Sequence, residues 1–221
     1  MKSDTELGSI LKFLRGLREN NNRPWFEAHR GQYQGARAHF EEYVAALIAG
    51  LAHTQPLGGL SARDCVFRIN RDLRFSKDKT PYKPYMSAYL APGGRKSRRL
   101  GYYVHIEPGN RSMIAGGLHE PEPGQIGLWR QAIDQDPRPF KKIVGGKAFK
   151  ETFGQVEGQK LKTAPRGYPR DHPELELLRL QQVTVSRPLT DRHVQGPRLL
   201  RDSLHTFKVM RPFLEYLGAL S

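Results

Sequence analysis

The sequence predicts an α+β fold in which helices from both ends of the chain flank a central antiparallel sheet of about five strands. Near both ends, apolar residues recur with the spacing of helices, whereas between Val66 and Leu118 the spacing changes to a period of two. The strand-like runs are short and separated by tight turns, which is typical of antiparallel hairpins rather than βαβ units. The 221 residues are expected to form a single domain, 1–221.

The N-terminal region predicts two helices. Ser3 and Glu6 fit a capping box in front of an apolar series with helical spacing. Asn22 is expected to cap a second, long helix from about Pro24 to Ala52, because asparagine accepts a hydrogen bond from the first turn and proline is tolerated there.

The rest of the chain predicts strands followed by further helices. The predicted strands are Val66–Phe75, Met86–Leu90, Gly101–Ile106, Ser112–Leu118 and Gln182–Ser186. The predicted helices are about Gly124–Asp134, Pro139–Phe153, Pro173–Leu180, Asp191–Leu200 and Arg201–Leu217. Pro212 is expected to break or kink the last helix, because proline cannot donate to the helical ladder.

The charge of the chain is unbalanced, with 36 Lys and Arg against 22 Asp and Glu, or +14. An excess of this size favours anionic partners, such as nucleic acid or phosphorylated small molecules. It is also compatible with a generally basic proteome. More than half of the excess lies between Arg68 and Arg99, where ten cations face two aspartates.

Alternation along the predicted strand Val66–Phe75 places Arg68, Asp72 and Arg74 on one polar face. Arg71 falls on the apolar side, where an internal partner is expected. The following loop mixes lysines, hydroxyls and tyrosines, a composition suited to phosphate recognition. The predicted ligand-binding residues are Arg68, Arg71, Arg74, Lys77, Lys79, Tyr82 and Lys83. The alternative is a solvated basic hairpin with its tyrosines packed on the sheet.

The segment Arg68–Lys83 resembles the signature of a bacterial family of conserved hypothetical proteins, domain-of-unknown-function family 2461. The resemblance extends to Asn20–Phe26, Gly101–Gly109, Gly116-Gly117 and Ser186–Leu189, and covers about residues 7 to 217. It implies one full-length domain. The family has no established reaction, so the resemblance implies no activity.

His105 and Glu107 lie two residues apart on a predicted strand, so their side chains point to the same face together with that of Tyr103. Such a pair is a candidate for acid–base chemistry, and Asp72 is a further candidate base. The alternative is a hydrogen bond within a half-buried sheet. No metal site and no cofactor are predicted, because neither a His-Glu-x-x-His motif, a Cys/His quartet nor a complete phosphate loop is present.

The remaining features concern location. Cys65 is the only cysteine, so the chain has no intrachain disulfide. The longest apolar stretch, Val44 to Ala52, is far shorter than the ~20 residues that span a bilayer. We therefore expect no membrane partner and a cytoplasmic location.

Three functions remain open at this point. The leading hypothesis is a binding module for a phosphate-bearing ligand, either a nucleotide or a nucleic acid, that uses the Arg68–Lys83 segment. The second is an enzyme that acts on a phosphorylated or anionic substrate. The third is a protein-interaction scaffold.

Overall fold

The computed structural model describes residues 6–52, 54–55, 57, 59–74, 76–122 and 124–220, and these residues form an α+β fold. Within them the strands are β1 Met86–Leu90, β2 Tyr102–Ile106, β3 Ser112–Leu118 and β4 Val183–Leu189. The helices are α1 Glu6–Glu19, α2 Arg23–Ala28, α3 Arg30–Leu51, α4 Ala62–Cys65, α5 Gln125–Gln135, α6 Arg138–Gly145, α7 Lys147–Phe153, α8 Leu175–Leu178, α9 Asp191–Val194 and α10 Leu199–Gly218.

The four strands form one antiparallel sheet in the order β1-β2-β3-β4, so each strand lies beside its neighbour in sequence. In β1 and β2, Ser87 is paired with His105 and Tyr89 with Tyr103. These side chains share one face of the sheet, because residues two apart point the same way. The opposite face is apolar and buried: Met86, Ala88, Leu90, Tyr102, Val104 and Ile106.

The prediction of about five strands was wrong by one, because Val66–Phe75 is not a strand among the described residues. Val66 and Asn70 each form only an isolated bridge, to Ala88 and to Tyr82 respectively. Four positions separate Val66 from Asn70 whereas six separate Tyr82 from Ala88, so the partner chain has two extra residues and the pairing loses its register between the bridges. The expected alternation of Arg68, Asp72 and Arg74 on one strand face therefore does not apply.

The helix predictions were confirmed in outline and corrected at their ends. Asn22 caps α2 as predicted, with its side-chain oxygen 3.0 Å from the backbone nitrogen of Trp25. The long helix predicted from Pro24 to Ala52 is interrupted at His29, whose ψ of 18° lies outside the helical range. Pro212 lies inside α10 without ending it. The predicted capping residue Ser3 lies outside the described residues.

The described part of the chain divides into two compact units. The first unit contains the described residues up to Ser97, Tyr102–Ile114 and Pro188–His205. Its core is formed by the apolar face of β1 and β2 and by fully buried side chains of α1 and α3, such as Leu11, Leu14 and Phe40. The Tyr43 hydroxyl lies 2.7 Å from the Ser203 hydroxyl in this core, so the buried phenol has a partner.

The second unit contains Arg98–Gly101, Ala115–Arg187 and the described residues from Thr206 onward. Aromatic rings form its core: Trp129 packs edge-on against Phe140 with ring centroids 4.6 Å apart. Phe213 lies 6.1 Å from Phe140 and 5.8 Å from Phe149. Packing of this kind keeps α10 helical around Pro212, since most helical stability in proteins comes from a buried apolar face.

None of the helices in the described part of the chain is both long enough and apolar enough to cross a membrane.

The glycine at position 117 is required by the backbone. Its φ is +118°, and a methyl group at this position would overlap the carbonyl oxygen of Val183. We expect Gly117→Ala to lower the free energy of unfolding by more than about 1 kcal/mol, measured by urea denaturation.

The matched control is Gly127→Ala in α5, where no atom lies within 4 Å of the added methyl group. Because alanine is the better helix former, this change should raise stability by roughly 0.5–1 kcal/mol. Equal midpoints for the two variants would contradict this interpretation.

Candidate functional site

The segment after α4 runs antiparallel to the chain that leads into β1. Hydrogen bonds join them at both ends, from Phe67 N to Ser87 O at 2.9 Å and from Lys83 N to Ile69 O at 2.8 Å. Between these two bonds the chain that leads into β1 has two more residues than the segment, and the two chains separate.

A small pocket lies at this separation, and we refer to it as the edge pocket. It is lined by Tyr33 and Arg37 from α3, by Val66–Ile69, and by Lys83, Tyr85, Met86 and Ser87. Three of the lining side chains are cationic. Aromatic rings form much of the remaining wall. The edge pocket lies wholly within the first unit.

The three cations of the edge pocket differ in their partners. Arg37 is neutralised, with its Nε 2.8 Å from Glu41 Oε1 and a nitrogen 3.1 Å from the Tyr33 hydroxyl. Among the residues that the structure describes, no carboxylate forms an ion pair with Arg68 or Lys83. Arg68 is exposed and lies near enough to Asp72 to help lower the pKa of that carboxyl, so Lys83 is the half-buried cation of the edge pocket that forms no ion pair with a described carboxylate.

Lys83 is the more constrained of these two cations. Its side chain is half-buried, and burial together with the nearby positive charge of Arg68 lowers its pKa. The ammonium lies 5.6 Å from the centre of the Phe67 ring and 5.9 Å from that of Tyr85. Contact with ring faces stabilises a cation by about 0.5–2 kcal/mol, but it supplies no opposite charge.

The other predicted ligand residues have partners elsewhere in the segment. Arg71 pairs with Asp78 and also donates to Ser76 at 3.1 Å, in agreement with the internal partner expected for it. Arg74 is held by Asp72, with Nη2 2.6 Å from Oδ2. This contact holds the pKa of Asp72 down to about 2, so Asp72 is a poor candidate base.

The last three predicted ligand residues are Lys79, Tyr82 and Lys77. Lys79 donates to the backbone oxygen of Leu73 at 3.2 Å. Tyr82 is buried, and its ring is stacked on Phe26 with centroids 4.0 Å apart. Lys77 is exposed. None of these three side chains lines the edge pocket.

A chain of hydrogen bonds crosses the polar face of β1 and β2. His105 Nε2 lies 2.8 Å from Glu107 Oε2, and the Tyr103 hydroxyl lies 3.1 Å from His105 Nδ1. Ser87 is paired with His105 across the two strands and lines the edge pocket. We refer to Tyr103, His105 and Glu107 as the hydrogen-bond chain.

The buried end of this chain is the carboxylate of Glu107. Arg18 from α1 donates to its Oε1 at 2.9 Å, and Arg111 Nε lies 3.2 Å from the same oxygen. Arg18 also donates to the carbonyl of Pro108 at 2.9 Å. Two guanidinium groups thus compensate a carboxylate that is only 7% exposed.

The direction of donation along the hydrogen-bond chain follows from these partners. A carboxylate only accepts, so His105 Nε2 carries the proton and donates to Glu107. Burial lowers the pKa of His105, and Glu107 opposes this shift without reversing it, so the ring is neutral at pH 7. Its Nδ1 then accepts from the hydroxyl of Tyr103.

The chain matches a family model for conserved hypothetical proteins of unknown function, DUF2461, over residues 9–216. The chain belongs to the DUF2461 family. This match confirms the resemblance of the Arg68–Lys83 segment and its accompanying motifs. No curated protein and no solved structure matches the chain.

Sequence reasoning found only part of the site in this DUF2461 member. It identified Arg68 and Lys83, and it placed His105 beside Glu107. It missed Ser87, although the alternation of Tyr85, Ser87 and Tyr89 predicts a shared face with His105 once β1 and β2 are paired. Nothing in the sequence indicated that α3 would contribute Tyr33 and Arg37. In the described part of the chain, no three His, Cys, Asp or Glu side chains cluster as metal ligands.

The lowered pKa of His105 makes stability depend on pH. As the pH falls below about 6.5, the unfolded chain takes up a proton at His105 that the folded chain resists, so the free energy of unfolding should fall between pH 7.5 and pH 5. His105→Gln should reduce this fall, because glutamine can bridge Glu107 and Tyr103 without titrating.

Urea denaturation at the two pH values measures the effect. The matched control is His119→Gln, which removes an exposed imidazole outside the hydrogen-bond chain. If both variants lose stability with pH to the same extent as the wild type, His105 is not the source of the dependence.

Proposed function

We propose that the protein binds a small phosphate-bearing ligand in the edge pocket. The observation that carries this proposal is the half-buried ammonium of Lys83, which lines the edge pocket beside Arg68 and forms no ion pair with a described carboxylate. A half-buried charge without a counter-charge is unfavourable. A bound anion would supply the counter-charge and raise the pKa of Lys83 toward its ordinary value.

The chemistry of the wall suits a phosphate better than other anions. Arg68 offers paired donors in a planar fork, Lys83 adds a point charge, and Ser87 adds a hydroxyl. Tyr33, Phe67 and Tyr85 line the same space, and aromatic rings bind the flat face of a nucleobase. Because the edge pocket is small, the phosphate group is the part of a mononucleotide that it would hold. Such a ligand fits the cytoplasmic location and bacterial source that the sequence predicts.

The ion pairs of the segment favour a compact ligand over a nucleic-acid strand. Arg71 and Arg74, two of the predicted cations, already pair with Asp78 and Asp72. Tyr82, the predicted stacking residue, is buried against Phe26. The number of charges available to a long polyanion is therefore smaller than the sequence suggests. Binding of a nucleic acid remains the alternative, as does a scaffold that uses no ligand.

Calorimetric titration tests the proposal with inorganic phosphate and adenosine monophosphate as probes. We expect both to bind the wild type. Lys83→Met should weaken binding at least about tenfold, because hydrogen bonds to charged groups contribute roughly 1.5–3 kcal/mol. Lys12→Met is the matched control, since it removes one exposed lysine of α1 outside the edge pocket.

The outcomes separate the alternatives. Equal affinities in the two variants would refute binding in the edge pocket. A single-stranded oligonucleotide that binds more tightly than the mononucleotide, with an affinity that falls steeply with salt, would favour nucleic acid instead. Binding of neither probe nor oligonucleotide would favour the scaffold.

A further inference from the structure

Lys83 differs in its surroundings from every other lysine in the described part of the chain. The others are exposed, whereas Lys83 is half-buried and lines the edge pocket. Among the described residues, no atom accepts a hydrogen bond from its amine. Its nitrogen lies 5.6 and 5.9 Å from the ring centres of Phe67 and Tyr85, near the outer limit of ~6 Å for such contacts. The amine can therefore lose its proton without breaking a strong interaction.

The backbone around Lys83 is held in place. Lys83 N donates to Ile69 O at 2.8 Å. The preceding residue, Tyr82, is bonded on both sides of the peptide chain to Asn21, whose amide donates to Tyr82 O at 2.9 Å and accepts from Tyr82 N at 3.1 Å. The Tyr82 ring is stacked on Phe26. The side chain of Lys83 thus starts from a fixed backbone, which limits the positions that its amine can reach.

We propose that Lys83 is a site of self-acylation, which takes its acyl group from a small acyl phosphate bound in the edge pocket. This inference rests on the phosphate-binding function proposed above. An acyl phosphate offers both groups that the site can address, a phosphate for the polar wall and a carbonyl carbon for the amine. The edge pocket is small, so an acyl group of a few atoms, such as acetyl, suits it best.

The step exchanges one bond for another. The neutral amine of Lys83 attacks the carbonyl carbon of the acyl phosphate, and the bond from that carbon to the phosphate oxygen breaks. The electron pair of this bond stays on the phosphate, which takes up the proton that the nitrogen loses. The products are an Nε-acyl-lysine and inorganic phosphate, and no further reactant is needed.

Two effects of charge on the amine oppose each other. Burial and the nearby charge of Arg68 lower the pKa of Lys83, which raises the fraction of neutral amine. The other titratable groups that line the edge pocket are Arg37, already neutralised, and the phenols of Tyr33 and Tyr85. A bound phosphate favours the ammonium and lowers that fraction. The nearness of the bound carbonyl offsets this loss, because oriented reactants reach effective concentrations of about 10⁵–10⁸ M.

Acylation changes the edge pocket, because an amide carries no charge. The acylated side chain no longer supplies the positive charge that the phosphate-binding function requires. The modified protein should therefore bind inorganic phosphate at least about tenfold more weakly, as expected for Lys83→Met. The reaction is then self-limiting, with one acyl group transferred to Lys83 in each chain.

Peptide mass spectrometry during incubation with acetyl phosphate tests the inference. We expect Lys83 of the wild type to be acetylated at least about tenfold faster than Lys12, an exposed lysine of α1. The rate at Lys83 should rise with pH, because only the neutral amine attacks. Inorganic phosphate should slow the reaction at Lys83 and leave that at Lys12 unchanged. The matched reagent is acetic anhydride, which carries acetyl groups without a phosphate and should show no preference for Lys83.

Equal rates at Lys83 and Lys12 with acetyl phosphate would overturn the inference. An equal preference for Lys83 with both reagents, unaffected by inorganic phosphate, would also overturn it, since the pocket would then not recognise the phosphate. Calorimetric titration of the same protein with inorganic phosphate separates the two proposals. Phosphate binding that Lys83→Met weakens, together with equal acetylation rates, removes the acyl transfer and leaves the phosphate-binding function standing. Failure of both measurements removes both proposals.

Discussion

The buried carboxylate of Glu107 is the constraint on which the first unit depends. A buried charge is costly unless it is paired and hydrogen-bonded, and Glu107 meets this requirement with Arg18, Arg111 and His105. Arg18 belongs to α1 and Glu107 directly follows β2, so one carboxylate joins a helix to the sheet. Ser112 reinforces the turn, because its hydroxyl accepts from Glu107 N and donates to Glu107 O. The orientation of His105 and Tyr103 is thereby fixed.

A second constraint is the shift of register between the segment that follows α4 and the chain that enters β1. Between their two hydrogen bonds the chain that enters β1 has two more residues than the segment, and the edge pocket forms where the regular pairing stops. Lys83 lies at the boundary of this interruption, with its backbone bonded to Ile69 and its side chain directed toward Phe67 and Tyr85. This local irregularity of the pairing leaves the ammonium of Lys83 half-buried, without a carboxylate partner among the described residues.

The local features of the fold could be predicted from the sequence, and the long-range ones could not. Period-two alternation identified β1, β2 and β3, and it also placed His105 and Glu107 on one face. The same rule failed for Val66–Phe75, because a ladder requires a partner in constant register, and the partner chain has two extra residues between Tyr82 and Ala88. The contribution of Arg37 depends on how α3 packs, and no spacing in the sequence encodes that contact. Charge counting identified the segment but overstated the number of its cations that are open to a ligand, since Asp72 and Asp78 neutralise two of its arginines.

The central claim is that Lys83 is a desolvated cation which awaits an anion. NMR titration of the Lys83 side chain, labelled at ¹³Cε, measures its pKa directly. In the free protein the pKa should lie below the ordinary lysine value of 10.5, and saturating inorganic phosphate should raise it, because a nearby anion favours the charged form. A pKa at the ordinary lysine value that phosphate does not move would contradict the account.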